Sequence, residues 1–264
     1  MSAEYAEQKY PRAWESRLDE LSGVFEFDIA GLHSRVRITP TQLRKVYLPL
    51  LAWLDHLSRA TDQRLLVGLA GIPGSGKSTF AAIVGLLADR LWAPGVFMCA
   101  GMDGWHWPNA VLQQRTTRNP DGQMVPLSQR KGGPDSFDVT ALAAALGELK
   151  NARILVHLPV YDRRLHEPVP DGLTVPPETR IILLEGNYVL CLTPPWDRVF
   201  EQLHPRLMLV ADPAVARQRV IARHIRGGMN PAQAEDKFMC NDRFNTDVVQ
   251  GTAVHADRLI DLGP

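Results

Sequence analysis

The stretch from residue 65 to residue 87 constrains the fold of this chain more than any other. Leu65-Leu-Val-Gly-Leu-Ala70 is an apolar run of strand length. Gly71-Ile-Pro-Gly-Ser-Gly-Lys-Ser78 follows without a gap, and Thr79-Phe-Ala-Ala-Ile-Val-Gly-Leu-Leu87 opens an apolar-faced helix. A buried strand, a glycine turn and a helix N-terminus form the context that separates a phosphate-binding loop from a chance match to the G-x-x-x-x-G-K-[ST] pattern. The glycines let backbone N–H groups curl around phosphate oxygens, and the helix start adds partial positive charge. On this reading Gly71, Gly74, Ser75, Gly76 and Thr79 cradle phosphate, Lys77 reaches the β/γ-phosphates of a nucleoside triphosphate, and Ser78 ligates Mg²⁺. The competing reading, a glycine turn with a surface lysine, leaves the matched flanks unexplained.

Bulk properties narrow the rest. A chain of 264 residues, 45% of them hydrophobic, can bury a full core, and its length suits one large α/β domain or a domain with a small appendage. Lys plus Arg and Asp plus Glu stand at 29 each, so no global basic field suggests nucleic acid or an anionic membrane as a partner. No apolar run approaches the roughly 20 residues a spanning helix needs. The first nine residues lack the charged-then-apolar layout of a signal peptide, and Cys99, Cys191 and Cys240 are far apart and odd in number. They fit reduced thiols in a cytoplasmic protein.

Along the chain, residues 1–22 are polar and expected to be helical in part, with a break at Pro11. Alternating apolar positions around Ala30-Gly31 predict a hairpin over 24–37, and an apolar-faced helix follows from Leu43, interrupted or started by Pro49. Residues 1–60 are expected to form an N-terminal extension packed on a domain spanning 61–264. From there strands are expected at 64–70, 96–102, 153–158, 180–184, 206–211 and 258–262. Helices are expected at 77–91, 138–149, 196–203, 213–225 and 231–249. Near-continuous Val/Ile/Leu runs suit a parallel sheet covered on both faces. The expected architecture is a doubly wound, mostly parallel α/β sheet, with ligands beyond the carboxyl ends of its strands.

Several candidate groups fall at those ends. Arg180-Ile-Ile-Leu-Leu-Glu185-Gly186 delivers a carboxylate at a strand tip, the pattern of an acid that holds Mg²⁺ beside a phosphate loop; the alternative is a Glu facing solvent. Asp103 stands at the end of the second strand, where an ionised Asp can accept the proton of an attacking hydroxyl. Gly104 permits a sharp turn, and Trp105, His106 and Trp107 either wall a pocket or pack as core and rim. Tyr161, Arg163 and His166 either read a small polar substrate or lie in a solvated loop. Arg130-Lys131-Gly-Gly-Pro-Asp-Ser-Phe-Asp138 is a basic turn before a helix, with Asp138 a plausible cap. Arg219, Arg223 and Arg226 share one side of a helix that ends in Gly227-Gly228. They are either charge clamps on a hinged lid or a solvated face. Asn241-Asp-Arg-Phe-Asn245 lies on the next helix. A guanine-reading N-K-x-D, a zinc H-E-x-x-H and an EF-hand loop are all missing, so ATP with Mg²⁺ is the economical cofactor assignment.

Together M-D-G-W-H-W-P-N, R-K-G-G-P-D-S-F-D, P-V-Y-D, L-L-E-G-N-Y and N-D-R-F-N resemble the uridine kinase / phosphoribulokinase / pantothenate kinase group of P-loop small-molecule kinases, over roughly 64–262. They look most like a bacterial uridine-kinase-like or fructose-kinase-like subgroup. The resemblance implies a P-loop NTPase fold, a catalytic base at Asp103, and an acceptor-binding loop carrying Tyr161 and His166. Glu167 and Pro168 stand where the family's serine and arginine follow that histidine, which weakens a specific uridine assignment. The resulting expectation is a kinase moving the γ-phosphoryl group of MgATP to a hydroxyl of a small metabolite. Lys77, Asp103, Glu185 and Arg223 would be catalytic, Ser78 and Glu185 would hold metal, and Arg219 would sit on the nucleotide. Asp103, His106, Lys131, Tyr161, Arg163, His166 and Asn187 would surround the acceptor. Beyond that acceptor the expected partners include no nucleic acid, no membrane and at most a second copy in a homodimer. The rival expectation is a P-loop ATPase or nucleotide-sensing regulatory protein without an acceptor.

Overall fold

The computed structural model describes residues 10–29, 32–119, 121–151 and 154–263. Two short helices, α1 (Arg12–Glu15) and α2 (Leu18–Leu21), follow Pro11 and lead into the antiparallel pair β1 (Gly23–Ile29) and β2 (Leu32–Ile38). The turn expected at Ala30-Gly31 lies outside the described residues. Thr39 caps α3 (Pro40–Gln42) reciprocally with Gln42. A π-helical turn (Leu43–Tyr47) carries that helix into α4 (Leu48–Arg59), with Pro49 next to the junction.

The phosphate-loop unit follows as β3 (Leu65–Ala70) and α5 (Lys77–Leu91), then β4 (Phe97–Gly101). Next come α6 (Asn109–Gln114), the small hairpin β5 (Thr116–Arg118) and β6 (Met124–Pro126), and α7 (Val139–Asn151). Asp138 caps α7, its Oδ1 accepting from the Ala141 amide at 2.9 Å. A long hairpin, β7 (Val156–Asp162) and β8 (Glu167–Val175), precedes β9 (Ile181–Glu185). The chain ends with α8 (Asp197–Phe200), β10 (Arg206–Leu209), α9 (Pro213–Arg226), α10 (Pro231–Lys237), α11 (Arg243–Gly251) and β11 (Arg258–Ile260).

Five strands form one parallel sheet in the order β11-β10-β3-β9-β4. Its central strands show why both faces are covered. In β3, Leu65, Val67 and Leu69 enter a core shared with α4 and α5, while Leu66 and Ala70 enter the core on the opposite face with Leu142, Leu146 and Trp196. β9 repeats this, with Ile181 and Leu183 on the first side and Ile182 and Leu184 on the second. A strand of period two with apolar residues at every position must be buried twice. Leu18, Leu21, Leu43 and Leu54 of the N-terminal segment belong to that first core, so this segment covers the sheet. No helix among the described residues is long and apolar enough to cross a membrane.

One expected strand is corrected. Residues 153–158 were expected in the parallel sheet; instead Val156–Asp162 pairs antiparallel with Glu167–Val175 in a separate two-stranded ribbon. The register breaks between Leu158 and Val160, at Pro159, whose missing N–H cannot join a ladder. The helix expected at 196–203 shortens to α8, and that at 231–249 is continuous but contains a π-helical turn at Phe238–Asp242.

Arg64, only 5% exposed, ties the base of the sheet to its surroundings. Its guanidinium donates to the carbonyls of Thr179 (3.0 Å), Ile154 (3.2 Å), Pro176 (3.0 Å) and Leu149 (3.4 Å). Replacing it with Met strands these acceptors and should cost about 2–4 kcal/mol in urea unfolding. A loss below about 1 kcal/mol would remove Arg64 from this role.

Candidate active site

The loop between β3 and α5 takes the shape its glycines allow. Gly74 and Gly76 adopt φ of 81° and 92°, the left-handed region. A Cβ on Gly74 would lie 2.2 Å from the Ala216 carbonyl oxygen, so α9 presses directly on the loop. Arg219 of α9 reaches the loop, Nη1 standing 3.5 Å from the Gly74 carbonyl, and is not among the residues that line the cavity. The Ser75 hydroxyl is buried against Gly71 with no hydrogen-bond partner among the described residues.

Two strand ends bring the chemistry to this loop. In register, Glu185 lies opposite Leu69 of β3 and Gly101 of β4. Its Oε1 accepts a hydrogen bond from Ser78 Oγ at 2.7 Å. Burial raises the Glu185 carboxyl above its ordinary value, with Lys77 opposing the rise. Burial likewise lowers the Lys77 ammonium, with Glu185 and then Asp103 opposing. Both groups are therefore costly to keep charged here, and each makes the other tolerable.

On the other side of Glu185, β4 ends in a 3₁₀ turn (Met102–Trp105) that carries Asp103. Gly104 is required there, because a Cβ would lie 2.3 Å from the Pro159 carbonyl oxygen at the β7 irregularity. The Asp103 side chain is 43% exposed and lines the cavity. Burial, the largest influence, pushes its carboxyl up. The fields of His106 in its protonated form, Arg163, Lys77 and Arg223 together outweigh that and hold it below the usual range. Arg163 Nη2 is 3.7 Å from Oδ2.

His106 Nδ1 lies 2.9 Å from the Asp103 carbonyl oxygen, which can only accept, so this nitrogen carries the proton. Burial lowers the His106 pKa, with Asp103 opposing, and the neutral ring then keeps Nε2 free as an acceptor. The ring lies between Phe137 (centroids 4.0 Å apart) and Tyr161 (5.0 Å). Trp105 is 6% exposed and packs in the core, and Trp107 lies under the Arg115 guanidinium; the packing alternative holds for both.

The far wall is tied together from three segments. Lys131 Nζ donates to Asn109 Oδ1 (2.6 Å) and to the His166 carbonyl (2.7 Å), while Glu167 accepts from the Asn109 amide with both oxygens at 3.0 Å. Asp162 shapes the hairpin tip, its Oδ1 accepting from the Arg164 and Leu165 amides, and His166 there has φ 54°. The Gly132 carbonyl accepts from Tyr188 Oη (2.7 Å) and Asn245 Nδ2 (3.2 Å), and Asn241 Nδ2 donates to the Lys131 carbonyl (3.0 Å).

These elements enclose one cavity of about 570 Å³. Lys77, Ser78, Asp103, His106, Lys131, Tyr161, Arg163, His166, Glu185, Asn187 and Arg223 line it, so the predicted side chains from six separate segments converge. Arg226 joins them, while Arg219 and Thr79 do not. Sequence reasoning missed His224, Lys237 and Asp242. The His224–Asp242 pair (2.8 Å) closes the cavity between α9 and the π-helical turn. A π-turn inside a long helix often marks a functional site, but no local sequence signal announces it.

A loop of this form, between a central parallel strand and its helix and beside a strand-end acid, defines a P-loop fold of kinase type. No protein-family model matches the sequence. A Schizosaccharomyces pombe protein provisionally named as a uridine kinase is 30% identical over 199 residues, covering 74% of this chain and 82% of its own length. A pantothenate kinase of Rhodopseudomonas palustris is 30% identical over 179 residues, covering 61% of this chain but 52% of its own. Among solved structures, a provisionally named fructose transport system kinase from Silicibacter sp. TM1040 superimposes with a TM-score of 0.67 at 28% identity, covering 80% of this chain and 98% of that one. The chain belongs to the uridine kinase / phosphoribulokinase / pantothenate kinase group of P-loop small-molecule kinases.

Among the described residues no cluster of three or more His, Cys, Asp and Glu side chains forms a protein-only metal cage. Ser78 and Glu185, one hydroxyl and one carboxylate, fit a hard cation that takes most of its ligands from phosphate and water, as Mg²⁺ does. Gly74→Ala should weaken nucleotide affinity by about tenfold or more, since both the left-handed backbone and the Ala216 contact are lost. Calorimetric titration with ADP checks this, and unchanged affinity contradicts it.

Proposed function

We propose that this chain transfers the γ-phosphoryl group of MgATP to a hydroxyl of a small polar metabolite. The observation that carries this reading is the placement of Asp103 and Ser78–Glu185 at adjacent strand ends, on one cavity with room beyond the phosphate loop. The loop backbone and Lys77 hold the triphosphate, and Ser78 with Glu185 holds the metal. Bound MgATP supplies the phosphoryl group, whose bond to the leaving ADP oxygen breaks as the bond to the acceptor oxygen forms. Asp103 receives the proton of that acceptor hydroxyl. A carboxylate held on the acidic side suits this, because a loose phosphoryl transition state draws the proton away late and needs position more than basicity. Arg163 steadies Asp103 from one side, and Arg223, entering from α9, faces charge that develops between donor and acceptor.

Asp103→Asn should retain nucleotide affinity and lose turnover by about 10²–10⁴. Coupled ADP release over an acceptor panel measures this, and full turnover in the variant rejects Asp103 as the base. ADP release without any acceptor, insensitive to Asp103, would move the protein to an ATPase or regulatory role.

The pH dependence follows from Glu185. A carboxyl raised by burial protonates at higher pH than an ordinary one and then cannot bind a cation. The apparent Mg²⁺ affinity of the nucleotide complex should therefore weaken as pH falls toward the upper edge of the carboxylate range, before Asp103 titrates. An affinity flat across that interval contradicts the metal assignment.

A further inference from the structure

The cavity wall includes an ion pair that the phosphoryl transfer itself does not use. His224 Nε2 lies 2.8 Å from Asp242 Oδ2, and the two side chains are only 16% and 11% exposed. A pair on open surface contributes little to stability, and a buried one is often no better than apolar residues of the same volume. What a satisfied buried pair fixes is direction, because hydrogen-bonded groups meet in one geometry where apolar groups meet in several.

The two partners are anchored very differently. Asp242 ends the π-helical turn, in which Phe238 and Asn241 are also buried. That turn and the start of α11 are bonded to one short segment of the opposite wall. Arg130 Nη1 donates to the Cys240 carbonyl (3.0 Å), Asn241 Nδ2 to the Lys131 carbonyl (3.0 Å) and Asn245 Nδ2 to the Gly132 carbonyl (3.2 Å). Thr246 Oγ1 donates to the carbonyl of Asp242 itself (2.8 Å). Asp242 therefore stands on a fixed base.

His224 does not. Ala216 and Val220 are the buried residues of α9, and Ile225 in its last turn is 40% exposed. Arg217, paired with Glu235 and lying over the Phe238 ring, ties the middle of the helix to α10. The last turn then runs into Gly227-Gly228, where Gly228 adopts φ 98°. Among the described residues, His224 makes the one side-chain hydrogen bond that joins this turn to another element. The same turn carries Arg223 and Arg226, and both line the cavity. Arg223 needs restraint: burial and then Arg163 disfavour its charged form, and Asp242 is the first group to oppose them.

We infer that Asp242 is a positioning residue, which through His224 holds the last turn of α9 so that Arg223 and Arg226 meet the γ-phosphoryl group. Neither Asp242 nor His224 touches the nucleotide in this role. The inference rests on the nucleotide placement of the phosphotransfer reading and needs no transfer step, so the two fail separately.

The test compares Mg-AMPPNP with Mg-ADP by calorimetric titration, which isolates what the γ-phosphoryl group adds to affinity. His224→Ala and Arg223→Ala/Arg226→Ala should each reduce that addition by about tenfold, with Mg-ADP still bound. Adding His224→Ala to the arginine variant should reduce it no further, as expected of a residue that acts through those arginines. His224→Gln, whose amide can donate to the same carboxylate, should restore most of the discrimination. His224→Ala/Asp242→Ala, which leaves no unpaired buried charge, should match His224→Ala. Amide hydrogen exchange reads the position directly: residues 221–228 should exchange faster in both alanine proteins, while β3, β9 and residues 71–79 stay protected. Full discrimination in His224→Ala or in the arginine variant overturns the inference. So does an effect of His224→Ala that persists without the arginines, or unchanged exchange at 221–228. Phosphoryl transfer is assayed separately. Discrimination that depends on His224 in a protein that labels no acceptor rejects the kinase reading alone. Transfer by a protein whose discrimination ignores His224 rejects the positioning role alone.

Discussion

Everything at the site depends on the register of three parallel strands. Pairing Leu69 with Glu185 and Gly101 with Glu185 puts one carboxylate at the midpoint between the phosphate loop and the turn that bears Asp103. The hydrogen bond from Ser78 to Glu185 is the visible consequence. A slip of one residue in β9 would point Glu185 into a hydrophobic layer and bring an apolar side chain to the cavity. The buried faces forbid that slip: Ile181 and Leu183 are matched to one core, Ile182 and Leu184 to the other. Packing thus fixes chemistry, because the energy that sets register is the burial of about 1.5–3 kcal/mol per large apolar side chain.

Charge is arranged to be expensive in the free protein and useful with ligand. Lys77 and Glu185 are each disfavoured in their charged forms by burial and sustained by one another. Asp103 is the exception, since the positive groups around it win over burial. The three groups therefore differ in what they are ready to do. One carboxylate is held toward its ionised form beside the acceptor space, and another is poised to gain from a cation. Such divergent environments for nearby titratable groups are the usual mark of a reaction site.

Much of this was legible in the sequence, and the reason is locality. The phosphate loop, the Glu185 strand tip and Asp103 are each written in a contiguous run of strand, turn and small residues. The parallel sheet follows from apolar runs that cannot be half exposed. What stayed hidden is tertiary. Residues 153–158 read as one more sheet strand, but Val156–Asp162 instead forms a ribbon with Glu167–Val175, irregular at Pro159, whose carbonyl presses on Gly104. Lys237 and Asp242 sit far along the chain, flanking and ending a π-helical turn, and line the cavity from there. The arginines of α9 share a helix face in sequence, yet Arg219 reaches the loop while Arg223 and Arg226 line the cavity.

The central claim is that the groups at these strand ends act together on an acceptor hydroxyl. The most direct measurement follows γ-labelled ATP incubated with the protein, Mg²⁺ and pooled hydroxylated metabolites, then asks which molecule carries the label. The account predicts label in an organic phosphate ester, formed in step with ADP. Label appearing only in inorganic phosphate, or remaining in ATP with every acceptor pool, would contradict it.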